Sequence, residues 1–132
     1  MATHLADTSA LLELHQPQVA ARLGPLLVGG QVATCGVVDL EILARAAPDE
    51  RTEVLAERRS FPRVPVDDEV LDRAAVLIAR LHGAVELPRL IVAVAAERAG
   101  LVLLHHDTQV ERIGAVTGQP LEDVVRAVDG AQ

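Results

Sequence analysis

Aromatic residues are almost missing from this chain: Phe61 is the one aromatic side chain among 132 residues. A groove that stacks successive bases on aromatic rings is thereby excluded as a mode of single-strand binding. Cysteine is as scarce. With Cys35 alone, no intrachain disulfide can form and a cysteine-rich zinc site is ruled out. Lysine is absent, so the 12 basic residues are all Arg, set against 19 acids for a formal net charge of -7. That balance argues against broad adhesion to nucleic acid, and is compatible with a local acidic cluster that needs cations or with a basic partner segment. No apolar run approaches the ~18 residues of a membrane span, and no basic-then-apolar leader opens the sequence. The expectation is a soluble, cytoplasmic protein with no membrane association.

What the chain does have is aliphatic: half of its residues are hydrophobic, enough for one domain over residues 1–132 with a core of Leu, Val, Ile and Ala. Residues 3–6 read as a short buried strand, after which Ser9 can cap a helix through Leu14. Val19, Leu23, Leu26 and Leu27 form a second helical stripe that stops at Gly29-Gly30. Gln31 to Cys35 reads as a strand and Val38 to Ala46 as a helix. Pro48-Asp49 opens another, with Val54 and Leu55 inward and Arg58 outward. Arg63 to Val66 is expected to be a short strand. Asp67 or Asp68 then caps a helix whose inward positions are Val70, Leu71, Ala74, Ala75, Ile78 and Leu81. Pro88 suits the first turn of a helix that Gly100 terminates. Leu101 to Leu104 is an apolar strand ending at His105-His106-Asp107. A helix from Thr108 to about Val116 follows, and Leu121 to Val128 is read as one more.

Short apolar strands alternating with helices predict an α/β fold, a parallel sheet covered on both faces. Ligands in such sheets bind outside the carboxyl ends of the strands. Asp7 and Asp107 each follow a strand directly, and Glu41 lies about one turn into the helix after the second strand. All three can reach one edge. A buried carboxylate without a partner is costly, so Glu41, set among Leu40, Ile42 and Leu43, calls for a cation or a donor.

Leu5-Ala6-Asp7-Thr8-Ser9-Ala10-Leu11, Val38-Asp39-Leu40-Glu41-Ile42-Leu43, Phe61-Pro62-Arg63-Val64-Pro65-Val66, Leu71-Asp72-Arg73-Ala74, Pro88-Arg89-Leu90-Ile91-Val92-Ala93 and Leu104-His105-His106-Asp107 occur in that order. Arg112-Ile113 and Thr117-Gly118-Gln119-Pro120 come behind them. In this pattern the chain resembles the PIN-domain family, and within it the VapC-type ribonuclease toxins of type II toxin–antitoxin systems. The resemblance implies a three-layer α/β/α fold around a central parallel sheet of four to five short strands. It also implies an endoribonuclease that uses Mg2+ or Mn2+, with Asp7, Glu41 and Asp107 as catalytic and metal-holding acids. A hard divalent cation takes oxygen ligands and keeps several waters, which is why the positions are carboxylates. Thr8 and Ser9 are placed to orient water or substrate, Ser9 being equally suited to capping. The implied partners are an RNA substrate, a VapB-like antitoxin and a second copy of the chain.

Two departures bear on activity. Arg89 stands where the family pattern has an acid, and Gln109 and Val110 stand where a second acid and an aromatic are common. A guanidinium is always protonated and pairs readily with carboxylates, so Arg89 is expected to occupy the metal's place between Asp7 and Asp107. Glu86 could compensate only if its helix begins early enough. Arg58, Arg59 and Arg63, the densest basic group, read first as a solvated helix end and second as an RNA or antitoxin contact. The surface around Leu12, Val19 and Leu23 is a candidate interface. His105-His106 lacks ligand spacing to His4 or His15, and Gly29-Gly30 is a turn rather than a phosphate loop. Two rival readings remain: a non-catalytic PIN-fold protein-binding module, and a nucleotide-binding α/β regulator.

Overall fold

The computed structural model describes residues 1–126. Four strands, β1 (His4–Ala6), β2 (Val32–Ala33), β3 (Val102–His105) and β4 (Leu121–Asp123), form one sheet in the order β2-β1-β3-β4. Every pairing is parallel, with Leu5 opposite both Ala33 and Leu103, and His105 opposite Asp123. The helices that accompany them are α1 (Thr8–Leu11), α2 (Pro17–Val28), α3 (Gly36–Arg45), α4 (Arg51–Arg59), α5 (Asp68–Arg80), α6 (Leu87–Ala99) and α7 (Thr108–Thr117). A 3-10 turn, Pro48–Glu50, leads into α4.

Alternation along the strands divides the apolar side chains between two layers. Leu5 and Leu103 face a core built with Val38 of α3, Val70, Ala74 and Leu77 of α5, Leu90 to Ala96 of α6, and Val110 and Ile113 of α7. Ala6, Val32 and Leu104 face the other way, against Ala10, Val19 and Leu23 of α1 and α2. The result is the expected α/β/α arrangement, and every strand points its carboxyl end to one edge. Because β2 lies on one side of β1 and β3 on the other, the chain reverses direction across the sheet just after Asp7, where a crevice forms.

Several sequence expectations are corrected. Asp7, not Ser9, caps α1: its side chain accepts from the Ser9 N–H at 3.1 Å, and α1 is a single turn. Residues 63–66 make no strand, since Pro65 has no N–H to give and only a Thr34–Arg63 bridge forms. Residues 121–123 are strand β4 rather than helix, their backbone completing the sheet beside β3; of the expected helix, residues 124–126 are helical, and residues 127 and 128 lie outside the described residues. On α5 the buried stripe is Val70, Ala74 and Leu77, while Leu71, Ala75 and Ile78 are exposed, because the helix meets α6 along one narrow row. Val19 and Leu23 are each 1% exposed, so neither belongs to a surface interface; Leu12 is exposed.

Candidate active site at the carboxyl edge of the sheet

Asp7 leaves β1 with its N–H bonded to the Leu104 carbonyl at 2.9 Å, which fixes the carboxylate at the crevice. The side chain is fully buried. One oxygen accepts from the Ser9 N–H and hydroxyl; the other faces Arg89. Ser9 in turn accepts from the His106 N–H at 3.0 Å, tying α1 to the end of β3. Glu41 arrives from the second turn of α3. Its Oε1 accepts from the Thr8 hydroxyl at 2.8 Å, and its backbone carbonyl accepts from Arg45 at 3.2 Å.

Arg89 comes from the first turn of α6, which Pro88 opens. Its guanidinium donates through Nη1 to Asp7 Oδ1 and through Nη2 to Glu41 Oε1. The side chain is 5% exposed, against 0% for Asp7 and 25% for Glu41. Arg89 does bind the acid cluster, but between Asp7 and Glu41 rather than between Asp7 and Asp107. Two local facts explain the difference. Helix α6 packs against α3, and Asp107 turns its carboxylate onto its own helix, capping α7 by accepting from the Gln109 N–H at 2.7 Å. Asp107 still lines the same cleft, of about 160 Å3, with Thr8, Ser9, Leu12, Glu41, Arg45, Glu86 and Arg89. Helix α6 begins at Leu87, leaving Glu86 as its exposed cap residue, with its N–H on Gln109.

The edge carries two further charged clusters. Asp39, 4% exposed on the first turn of α3, accepts from the Thr34 hydroxyl at 2.9 Å, from Arg58 Nε at 3.0 Å and from Arg63 Nη1 at 2.6 Å. Arg58 also donates to Thr34 at 2.9 Å and lies 4.6 Å from the centroid of the Phe61 ring. Arg58 is buried rather than outward, and is a structural anchor for α3 and α4, whereas Arg59 and Arg63 are exposed as expected. Asp39 went unmarked in the sequence; an acid inside the apolar Val37-Val38 turn, two residues before Glu41, was the available signal. On the other side of Asp107, a cleft of about 610 Å3 is lined by His106, Thr108, Glu111, Asp123 and Arg126. Arg126 pairs with both Glu111 and Asp123. His105, Glu111 and Asp123 bring ligand-type atoms within 4.8 Å of one another, a grouping that the distance to His4 and His15 in sequence could not reveal.

Burial pushes the His105 imidazole below its ordinary pKa, with Asp123, Asp7 and Asp107 pulling it back up. Burial also pushes the Cys35 thiol up, against hydrogen bonds from Val38 and Val37, which makes it a packing residue rather than a nucleophile. Burial would raise Asp123, but the N–H groups of Arg126 and Val125 and the His106 ring hold it below the usual carboxylate value. Gly29-Gly30 ends α2 and precedes β2, at the opposite edge from the crevice.

A parallel sheet with charged side chains gathered at its switch-point crevice defines a class of α/β domains, and comparison with known proteins narrows it. The PIN domain model matches residues 5–116. Ribonuclease VapC21 of Mycobacterium tuberculosis is 40% identical over 129 residues, spanning 92% of this chain and 94% of the relative. Ribonuclease VapC18 of the same organism is 35% identical over 127 residues, spanning 90% and 93%. The DNA-bound VapBC structure from Salmonella typhimurium superposes with a TM-score of 0.73 at 17% identity, covering 94% of this chain and 99% of that one. The chain belongs to the PIN-domain family, in its VapC ribonuclease branch.

Proposed function

We propose that this chain is a VapC-type toxin: a cytoplasmic endoribonuclease that acts on RNA, uses Mg2+ or Mn2+ when active, forms a homodimer and is neutralised by a VapB-like antitoxin, with Arg89 reducing or abolishing cleavage. The observation that supports the reading is the joining of Asp7 and Glu41, from two distant segments, through Arg89, beside a cleft that Glu41 and Asp107 both line. The relatives named ribonuclease VapC and the solved VapBC complexes support the activity and the partner.

A divalent ion held by such carboxylates would polarise a phosphoryl oxygen and lower the pKa of a bound water. The residues as arranged do not fit that ion between Asp7 and Glu41. The two oxygens that face the gap already accept from one guanidinium, and the other Asp7 oxygen is engaged by Ser9. What the chain's own groups do is clear from their contacts. Thr8 orients Glu41, Ser9 orients Asp7 and joins α1 to β3, and Arg45 stands at the cleft rim where a substrate phosphate would approach. The Arg89 contact is also the observation favouring the second reading, a PIN-fold module that binds its partner without cleaving.

RNA cleavage by the purified chain, with and without Mg2+, tests both. The unaltered chain should cleave at or near background. Arg89→Asp should raise divalent-dependent cleavage by at least tenfold, corresponding to about 1.4 kcal/mol of barrier, and adding Asp7→Asn should remove the gain. An Arg89→Asp protein that folds and does not cleave leaves the binding module as the reading.

A further inference from the structure

We propose that Arg89 is a resident cation that takes the divalent ion's place between Asp7 and Glu41, so that the folded chain holds these two acids together without metal and draws no stability from it. The inference rests on reading Asp7, Glu41 and Asp107 as an inherited metal site, and concerns what now holds that site together.

Three observations support replacement over simple obstruction. First, the guanidinium does what a bridging ion would do: two different N–H groups reach two carboxylates on different elements, β1 and α3, from a third element, α6. Second, the contact with Asp7 is buried. Asp7 is 0% exposed and Arg89 4%, so neither group could stay charged there without the other. A guanidinium does not lose its proton in the accessible pH range. Being tethered, it also competes with any dissolved ion at a high effective concentration. Third, the same solution recurs along the edge. Asp39 is met by Arg58 and Arg63, and Glu111 and Asp123 by Arg126. The His105, Glu111 and Asp123 grouping, which has a ligand set a metal could use, is therefore also held by an arginine. Among the described residues Asp107 alone of these edge carboxylates has no cation, and it is satisfied as a helix cap.

The test uses metal and heat and needs no RNA. Mn2+ binding is followed by electron paramagnetic resonance, and thermal unfolding is recorded in EDTA and in Mn2+, for the unaltered chain and for Arg89→Met. The unaltered chain should bind no Mn2+ at submillimolar concentration and should melt at the same temperature in both media. Arg89→Met, which keeps the buried volume but removes the charge, should melt roughly 10 °C lower in EDTA and regain most of the loss in Mn2+. Mn2+ binding by the unaltered chain that Asp7→Asn abolishes would overturn the proposal, as would an Arg89→Met protein that melts alike in both media. If Arg89→Met is unfolded in EDTA, recovery of its unfolding transition in Mn2+ supports the proposal and absence of recovery overturns it. An Arg89→Asp protein that binds Mn2+ and leaves RNA intact would remove the ribonuclease reading while leaving this one standing.

Discussion

Asp39 shows how much one side chain settles at the edge of this sheet. It receives a hydroxyl and two guanidinium groups while 4% exposed, and so fixes the first turn of α3, two residues before Glu41. A buried pair of this kind adds little over a well-packed apolar pair, yet losing one member strands the other. Asp39→Ala leaves Arg58 buried without its carboxylate and should cost about 3–5 kcal/mol in urea unfolding. Arg63, whose side chain is 45% exposed, can turn to water and contributes little of that. Adding Arg58→Met to Asp39→Ala should recover a substantial part of the loss, because the stranded charge is then gone. If the double variant is as unstable as the sum of the two single ones, the cost comes from packing and not from the ion pair. Arg89 and Asp7 obey the same logic, since each is buried and the loss of either leaves the other without its partner.

At the level of elements, α6 delivers Arg89 at one end and stops at Gly100 at the other. Gly100 has φ 69° and open space around its Cα, and its left-handed turn sends the chain directly into β3. Gly100→Ala meets no atom but must hold a conformation that L-residues avoid, so unfolding measurements should show a loss of about 1 kcal/mol. A neutral or stabilising effect would mean that the turn can relax without disturbing β3. Both ends of α6 were readable in the sequence because Pro88 and Gly100 act locally, through fixed φ and the absence of a Cβ. The same holds for β1 and β3, whose apolar runs are buried on both faces. Strand β4 was not readable: Leu121-Glu122-Asp123 has no strand pattern, and it is a strand because β3 offers it an open backbone edge. Arg63 to Val66 fails in the opposite sense, with strand-like side chains but a proline where a donor is needed. The acids Asp7, Glu41 and Asp107 could be placed at one edge from topology alone. Which of them Arg89 would bind could not, since that depends on α6 packing against α3 and on Asp107 capping its own helix.

For the molecule as a whole, the formal charge of -7 conceals an interior in which Asp7 and Asp39 are matched by arginines, and the acids are not the groups whose burial points to a pH dependence near neutrality. Two histidines are. Burial lowers His105, with Asp123, Asp7 and Asp107 opposing and Arg126 assisting. Burial also lowers His4, helped by Arg22 and opposed by Glu122. Both rings therefore take up protons less readily folded than unfolded. Above the unfolded value of about 6.5 both states are neutral and the two histidines cost nothing. Below it the unfolded chain binds protons that the folded chain resists, so stability falls as pH drops through that value and on toward the lowered folded values. His105, 1% exposed under α7, should carry most of this, and the partly exposed His4 a smaller share. Urea unfolding should give a stability that is level from about pH 8 to 7 and declines from about 6.5 to 5.5, before most carboxylates begin to titrate. His105→Gln removes the larger of the two titrating rings, and should flatten that decline whatever it does to stability at pH 8. A decline of unchanged slope in His105→Gln would move its origin away from this ring, and stability that rises on acidification would show that the neighbouring carboxylates outweigh burial.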